Sequence, residues 1–166
     1  MNLLDFKPSK KICILGNVAS GKTRLARKIA QQNLIEVTHV DSIQFDKHLQ
    51  IQPLEKTRQF LKDIENLNQW IIDGYGPLEM LEQRFQKADL IIFLDPPLWK
   101  NYFWLTYRQI KNIFSGRNEL PIGANELKWI HIKKLYRTTW TIHFIMRKEL
   151  LKLLDHTNNK AKVVRL

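Results

Sequence analysis

The run Gly16-Asn17-Val18-Ala19-Ser20-Gly21-Lys22-Thr23 has the spacing G-x-x-x-x-G-K-[ST], in which each fixed position has a chemical task. Gly16 and Gly21 let the backbone fold into a nest whose N–H groups aim at phosphate oxygens. Lys22 reaches the β and γ phosphates of a nucleotide, and Thr23 offers its hydroxyl to Mg²⁺. With glycine at about 7% of residues, an accidental match in a chain of this length is a roughly 1% event or rarer. The flanks agree with the mechanism, because the apolar KICIL precedes the loop and TRLARKIA follows it with helical period.

Two carboxylates follow at positions the same chemistry requires. THVDS ends one apolar run at Asp41, and WIIDGYG ends another at Asp73. In open α/β sheets ligands sit outside the carboxyl ends of the strands, so both aspartates face the phosphate loop. Together with Thr23 they can hold Mg²⁺ through its waters, and one of them can accept a proton from, or orient, an attacking hydroxyl or phosphate. Asp95, in IIFLDPP, also ends an apolar run; two prolines follow it, and turn, helix cap and ligand all stay open there. His39 and His48 read as hydrogen-bonded structural residues. No His, Cys and carboxylate cluster has zinc spacing, and Cys13 reads as core packing.

Absences narrow the chemistry further. Pro96 stands where motor ATPases carry the Glu of an acidic pair, and the Asn-Lys-x-Asp of guanine recognition does not occur. A kinase, in which an acceptor replaces water, is therefore favoured over hydrolytic switches and motors. Such an enzyme needs cations that close over the transferring phosphoryl group. Arg108 and Arg117 are the candidates, Arg117 within SGRNELPIGAN, a stretch that reads as a mobile loop. A solvated basic face is the competing reading for both arginines and the preferred one for Lys128, Lys133 and Lys134.

The elements that must position these residues alternate between strand-length apolar runs and segments of helical period, the pattern of βαβ units and a parallel sheet. Strands are expected at 11–15, 36–40, 69–73, 89–94 and 162–165. Helices are expected at 21–32, 54–66, 77–86, 97–114 and 125–154. In 97–114, Trp99, Tyr102, Phe103, Thr106, Ile110 and Ile113 form one stripe and Lys100, Trp104, Arg108 and Lys111 another, so that one face packs and the other meets solvent or ligand. No repeat, low-complexity tract or linker interrupts the chain, and its 166 residues are expected to form a single domain, residues 1–166, with 97–154 as a basic helical lid portion inside it.

Charge is unevenly divided. The chain carries 27 Lys and Arg against 16 Asp and Glu, net +11; residues 1–98 hold 13 basic and 12 acidic side chains, whereas 99–166 hold 14 and 4. The asymmetry points to a polyanion meeting the C-terminal half, which also carries ten of the seventeen aromatic residues. The longest apolar run, Leu90 to Leu94, is far below the roughly 20 residues of a membrane helix, and the start has no signal-peptide pattern. A cytoplasmic location and no membrane partner are expected.

Taken together, GNVASGKTRLARKIA, THVDSIQFD, WIIDGYG and ADLIIFLDPPLW resemble the FlaR-type topology modulation proteins, a branch of the adenylate-kinase-like P-loop kinases. The resemblance runs over nearly the whole chain. It implies a P-loop NTPase three-layer αβα sandwich, nucleotide-kinase-like, whose five-stranded parallel sheet has the order 2-3-1-4-5. It implies ATP at residues 16–23 and an acceptor site near Asp41 and Asp73. Where adenylate kinases place an arginine directly after the Asp-Gly turn, this chain has Gly76-Pro77-Leu78, and its next arginine is Arg84. The expected activity is ATP- and Mg²⁺-dependent transfer of the γ-phosphoryl group to a small nucleotide, nucleoside or related hydroxyl compound. Lys22, Asp41, Asp73, Arg108 and Arg117 would be the catalytic residues and Thr23, Asp41 and Asp73 the metal residues. The rival is a nucleic-acid-binding regulator that uses ATP as ligand or switch, a less favoured reading because no helix-turn-helix or RNA-binding signature is present.

Overall fold

In the computed structural model, residues 9–45, 50–115, 129–156 and 163–166 are described. The strands are β1 (Lys11–Gly16), β2 (Val37–His39), β3 (Trp70–Asp73), β4 (Leu90–Leu94) and β5 (Val163–Arg165). They form one parallel sheet of order β2-β3-β1-β4-β5. The helices are α1 (Lys22–Asn33), α2 (Val40–Gln44), α3 (Leu54–Glu65), α4 (Leu81–Lys87), α5 (Leu98–Ser115), α6 (Trp129–Thr141) and α7 (Arg147–His156). A 3₁₀ turn, Leu78–Met80, leads into α4, and a π turn, Ile142–Met146, joins α6 to α7.

Period-two alternation sorts the core into two layers. Ile12 and Ile14 of β1, Ile71 of β3 and Leu90 and Ile92 of β4 point to one face, where Ala26 and Ile29 of α1 cover them. Cys13 and Leu15, Ile72, Ile91 and Phe93 point to the other, under Leu61 of α3, Leu81 and Phe85 of α4, and Leu150 and Leu154 of α7. Burial of each such side chain contributes roughly 1.5–3 kcal/mol, which is why the interior positions of the central strands, after Lys11 at the start of β1, are apolar. Helices on both faces of the sheet give the three-layer sandwich. Cys13 is wholly buried, and burial pushes its thiol up to about 12, so it packs and does not react.

Three expectations are corrected. Val40 does not end the second strand but begins α2, which carries Asp41 into a helical first turn. The final helix is not uniform, because the π turn divides it; residues 125–128 lie outside the described residues. On α5 neither expected stripe is the buried one: Asn101, Leu105 and Gln109 face inward, while Trp99, Phe103, Trp104 and Ile110 are exposed. Among the described residues no helix is long and apolar enough to cross a membrane.

Candidate active site

β1 ends at Gly16, where a Cβ would sit 2.6 Å from the carbonyl oxygen of Leu94, so only glycine lets the loop leave between β1 and β4. Ala19 holds φ 56°, a left-handed conformation that an L side chain rarely adopts, and Gly21 holds φ 94° as the residue that caps α1. No side chain caps α1 and no acidic residue lies in its first turn. The positive end of the helix therefore faces the loop cavity, where an anion is stabilised. Lys22 curls back across the loop, its Nζ donating to the carbonyl of Asn17 at 2.7 Å.

The loop is fastened to the helical half by two buried amides. Asn17 Nδ2 donates to the Thr139 carbonyl on α6 at 2.9 Å while its Oδ1 accepts the N–H of Val18 at 2.7 Å. Asn101 Nδ2, on the inward stripe of α5, donates to the Val18 carbonyl at 2.9 Å. Neither role was read from the sequence; for Asn101 the available signal was a polar residue on the i, i+4, i+8 stripe with Leu105 and Gln109.

Asp73 is the centre of the site. It ends β3 beside His39 of β2 and Ile14 of β1 in the sheet register. Its Oδ2 accepts the Thr23 hydroxyl at 2.8 Å and lies 3.0 Å from His39 Nδ1, whereas the buried Oδ1 has no hydrogen-bond donor. Burial raises its carboxyl pKa, but the hydrogen bonds from His39 and Thr23 and the charge of Lys22 outweigh it and hold the group below the ordinary carboxylate range. His39, read as a hydrogen-bonded structural residue, is bonded to Asp73 beside Thr23, and His48 lies outside the described residues.

Thr23 and Asp73 fit Mg²⁺. That ion keeps several waters and takes one or two carboxylates with substrate phosphates, and Asp73 Oδ1 is a buried acceptor that such a water would satisfy. Asp41 does not join the Thr23–Asp73–His39 cluster; it stands exposed in the first turn of α2. Among the described residues no three His, Cys, Asp or Glu side chains form a metal cage.

A parallel sheet of order 2-3-1-4-5, helices on both faces and a phosphate loop between β1 and α1 decide the architecture. The fold is that of the P-loop kinases. A gluconokinase from Sinorhizobium meliloti 1021 is similar in structure at TM-score 0.50 and 11% identity, over 95% of this chain and 81% of that one. Also similar are a deoxyadenosine kinase from M. mycoides with bound dATP (TM-score 0.47, 14% identity, 95% and 90%) and a shikimate kinase from Acinetobacter baumannii with shikimate (0.47, 15%, 90% and 95%). No protein-family model and no curated protein matches the chain.

The remaining candidates separate in this P-loop kinase fold. Arg108 is half-buried on α5, two turns beyond Asn101. Arg117 and Lys128 lie outside the described residues. Lys133 and Lys134 are exposed on α6, as expected of a solvated basic face, with Lys134 over the Phe45 ring. Asp95 is an ion-pair anchor: Arg147 of α7 grips it through Nε at 2.7 Å and Nη2 at 2.9 Å, and Arg165 of β5 pairs with it as well. Burial raises the Asp95 carboxyl, but these two arginines bring it below its ordinary value.

Proposed function

We propose that this protein is an ATP- and Mg²⁺-dependent kinase of the adenylate-kinase-like, FlaR-type group, transferring the γ-phosphoryl group to a small nucleotide, nucleoside or related acceptor. The observation that carries the reading is the meeting of Thr23, Asp73 and His39 beside the uncapped start of α1, with Lys22 arched over the loop. Loop amides from Gly16 to Thr23 and the Lys22 ammonium bind the β and γ phosphates. Thr23 and Asp73 hold Mg²⁺, which when bound neutralises charge on the transferring group. Asp41 orients the acceptor from the start of α2. Arg108, with Arg117, supplies cations against the charge that develops during transfer. His39 fixes Asp73 by occupying Oδ2, which leaves the buried Oδ1 as the unsatisfied acceptor. Lys22→Ala tests the reading: ATP affinity by calorimetry should weaken and turnover vanish, and unchanged affinity and activity in a folded variant would remove it.

A further inference from the structure

The middle of the phosphate loop is held in a conformation it would not keep by itself. Ala19, at φ 56°, sits in the left-handed region, and a non-glycine residue stays there only where its surroundings over-determine it. Those surroundings are two side-chain amides acting on the residue before it. The N–H of Val18 donates to Asn17 Oδ1 at 2.7 Å, and the Val18 carbonyl accepts Asn101 Nδ2 at 2.9 Å. Both peptide groups flanking Val18 are thereby fixed, and the second of them leads into Ala19.

The same amides tie the loop to α5 and α6. Asn101 belongs to α5, and Asn17 Nδ2 donates to the Thr139 carbonyl of α6 at 2.9 Å; Asn101 and Thr139 are wholly buried. In an unbroken α-helix that carbonyl would take the N–H of residue 143. Residue 143 instead lies in the π turn, where bonds run to the fifth residue back, as that of the Arg147 N–H to the Ile142 carbonyl does. The Asn17 bond therefore falls where α6 changes register, and Arg147, at the far end of the turn, grips Asp95 just beyond β4. The stretch from Thr139 to Arg147 is anchored to the loop at one end and to the sheet at the other.

We propose that Asn17 and Asn101 are positioning residues, which keep the loop in its phosphate-binding shape and couple its occupancy to α6 and the π turn. This rests on the reading above that residues 16–23 bind the phosphates of ATP. Neither amide is placed as a phosphate ligand, because Asn17 spends both ends on backbone groups and the remaining atom of Asn101, Oδ1, is an acceptor like the phosphate oxygens themselves. Both act through the loop backbone, whose N–H groups meet the phosphates. Such coupling is reciprocal: the order that the helices lend to the loop is order that bound nucleotide returns to the helices.

The test uses the full chain, Mg²⁺ and a non-hydrolysable ATP analogue. Calorimetry of wild type, Asn17→Ala and Asn101→Ala should show the analogue bound about 10-fold more weakly by each folded variant. Hydrogen exchange over residues 142–147, read by mass spectrometry at saturating analogue, should be slowed at least ~5-fold by the analogue in wild type, and that slowing should be lost in Asn17→Ala. A bond that merely props the helix would instead shift exchange equally with and without the analogue, leaving the slowing in place. Should Asn101→Ala not fold, Asn17→Ala carries both measurements, since its side chain belongs to the loop and not to a helix. Binding within ~2-fold of wild type, or slowing that persists in Asn17→Ala, overturns the inference and leaves the kinase reading standing. Wild-type protein that does not bind the analogue removes the kinase reading and the inference with it.

Discussion

Replacing Asp73 by Asn separates chemistry from fold. The side chain is 5% exposed, and its Oδ2 takes the Thr23 hydroxyl and the His39 ring N–H. Asparagine keeps the shape and one acceptor oxygen but loses the charge. A hydrogen bond to an ionised group contributes roughly 1.5–3 kcal/mol and a neutral one roughly 0.5–1.5, so weakening two of them costs about 2–3 kcal/mol. Relief of the buried anion's desolvation offsets part of that, leaving a net loss of about 1 kcal/mol, or about 2–4 °C in Tm for a chain of this size. Phosphoryl transfer should fall by at least ~100-fold. The pH dependence has a definite sign. Asp73 is held below its ordinary pKa, so its stabilisation is complete above the unfolded-state value and disappears as pH falls through the folded one. The Tm gap between wild type and Asp73→Asn should therefore be widest near neutrality and close below about pH 4. Calorimetric melting across that range, paired with an ADP-release assay, reads both effects. A variant that melts more than about 10 °C lower yet keeps its specific activity would make Asp73 a structural residue and refute the reasoning.

Glu65→Ala should destabilise by roughly 3–5 kcal/mol, because it strands the Arg84 guanidinium in the core; a loss below about 1 kcal/mol by chemical denaturation would show that Arg84 can turn outward. Leu34→Gly should stabilise by about 0.5–1 kcal/mol, since Leu34 caps α1 at φ 56° with its side chain 89% exposed, and a lower melting temperature would contradict this. Duplex DNA binding by the basic half should be weak, with a log-log salt slope of about −0.9 per phosphate contacted, while ATP-dependent turnover persists at physiological salt; tight binding there without any phosphorylated acceptor would favour the regulator reading.

The loop and sheet were legible because their signals are local. A glycine spacing and five short apolar runs, one of them ended by Asp73, prescribe strand and turn without knowledge of what packs where, whereas Asp41, read at a strand end, stands in α2. The misses fall where meaning depends on distant partners. His39 looks like any strand-end histidine until β2 aligns with β3 and sets it against Asp73, 34 residues away. Asp95 carried three open readings because its partners, Arg147 and Arg165, lie 52 and 70 residues further on. The stripes of α5 were misassigned because aromatic residues normally mark the packed face, whereas here Asn101 is turned inward by the Val18 carbonyl and brings Leu105 and Gln109 with it.

That inward asparagine bears on how the site keeps its charge balance. The contacts fastening the phosphate loop to α5 and α6 are made by neutral amides, Asn101 to Val18 and Asn17 to Thr139, although the half that supplies those helices is rich in lysine and arginine. A cation buried against the loop would form a second positive centre and draw phosphate oxygens away from Lys22. An amide fixes the same carbonyls with no net charge. The arginines that do tie the fold together, Arg84 under the β3 turn and Arg147 and Arg165 at the end of β4, are each matched to a carboxylate, Glu65 or Asp95. None of these paired arginines adds net charge beside the loop, where Lys22, the start of α1 and Asp73 meet.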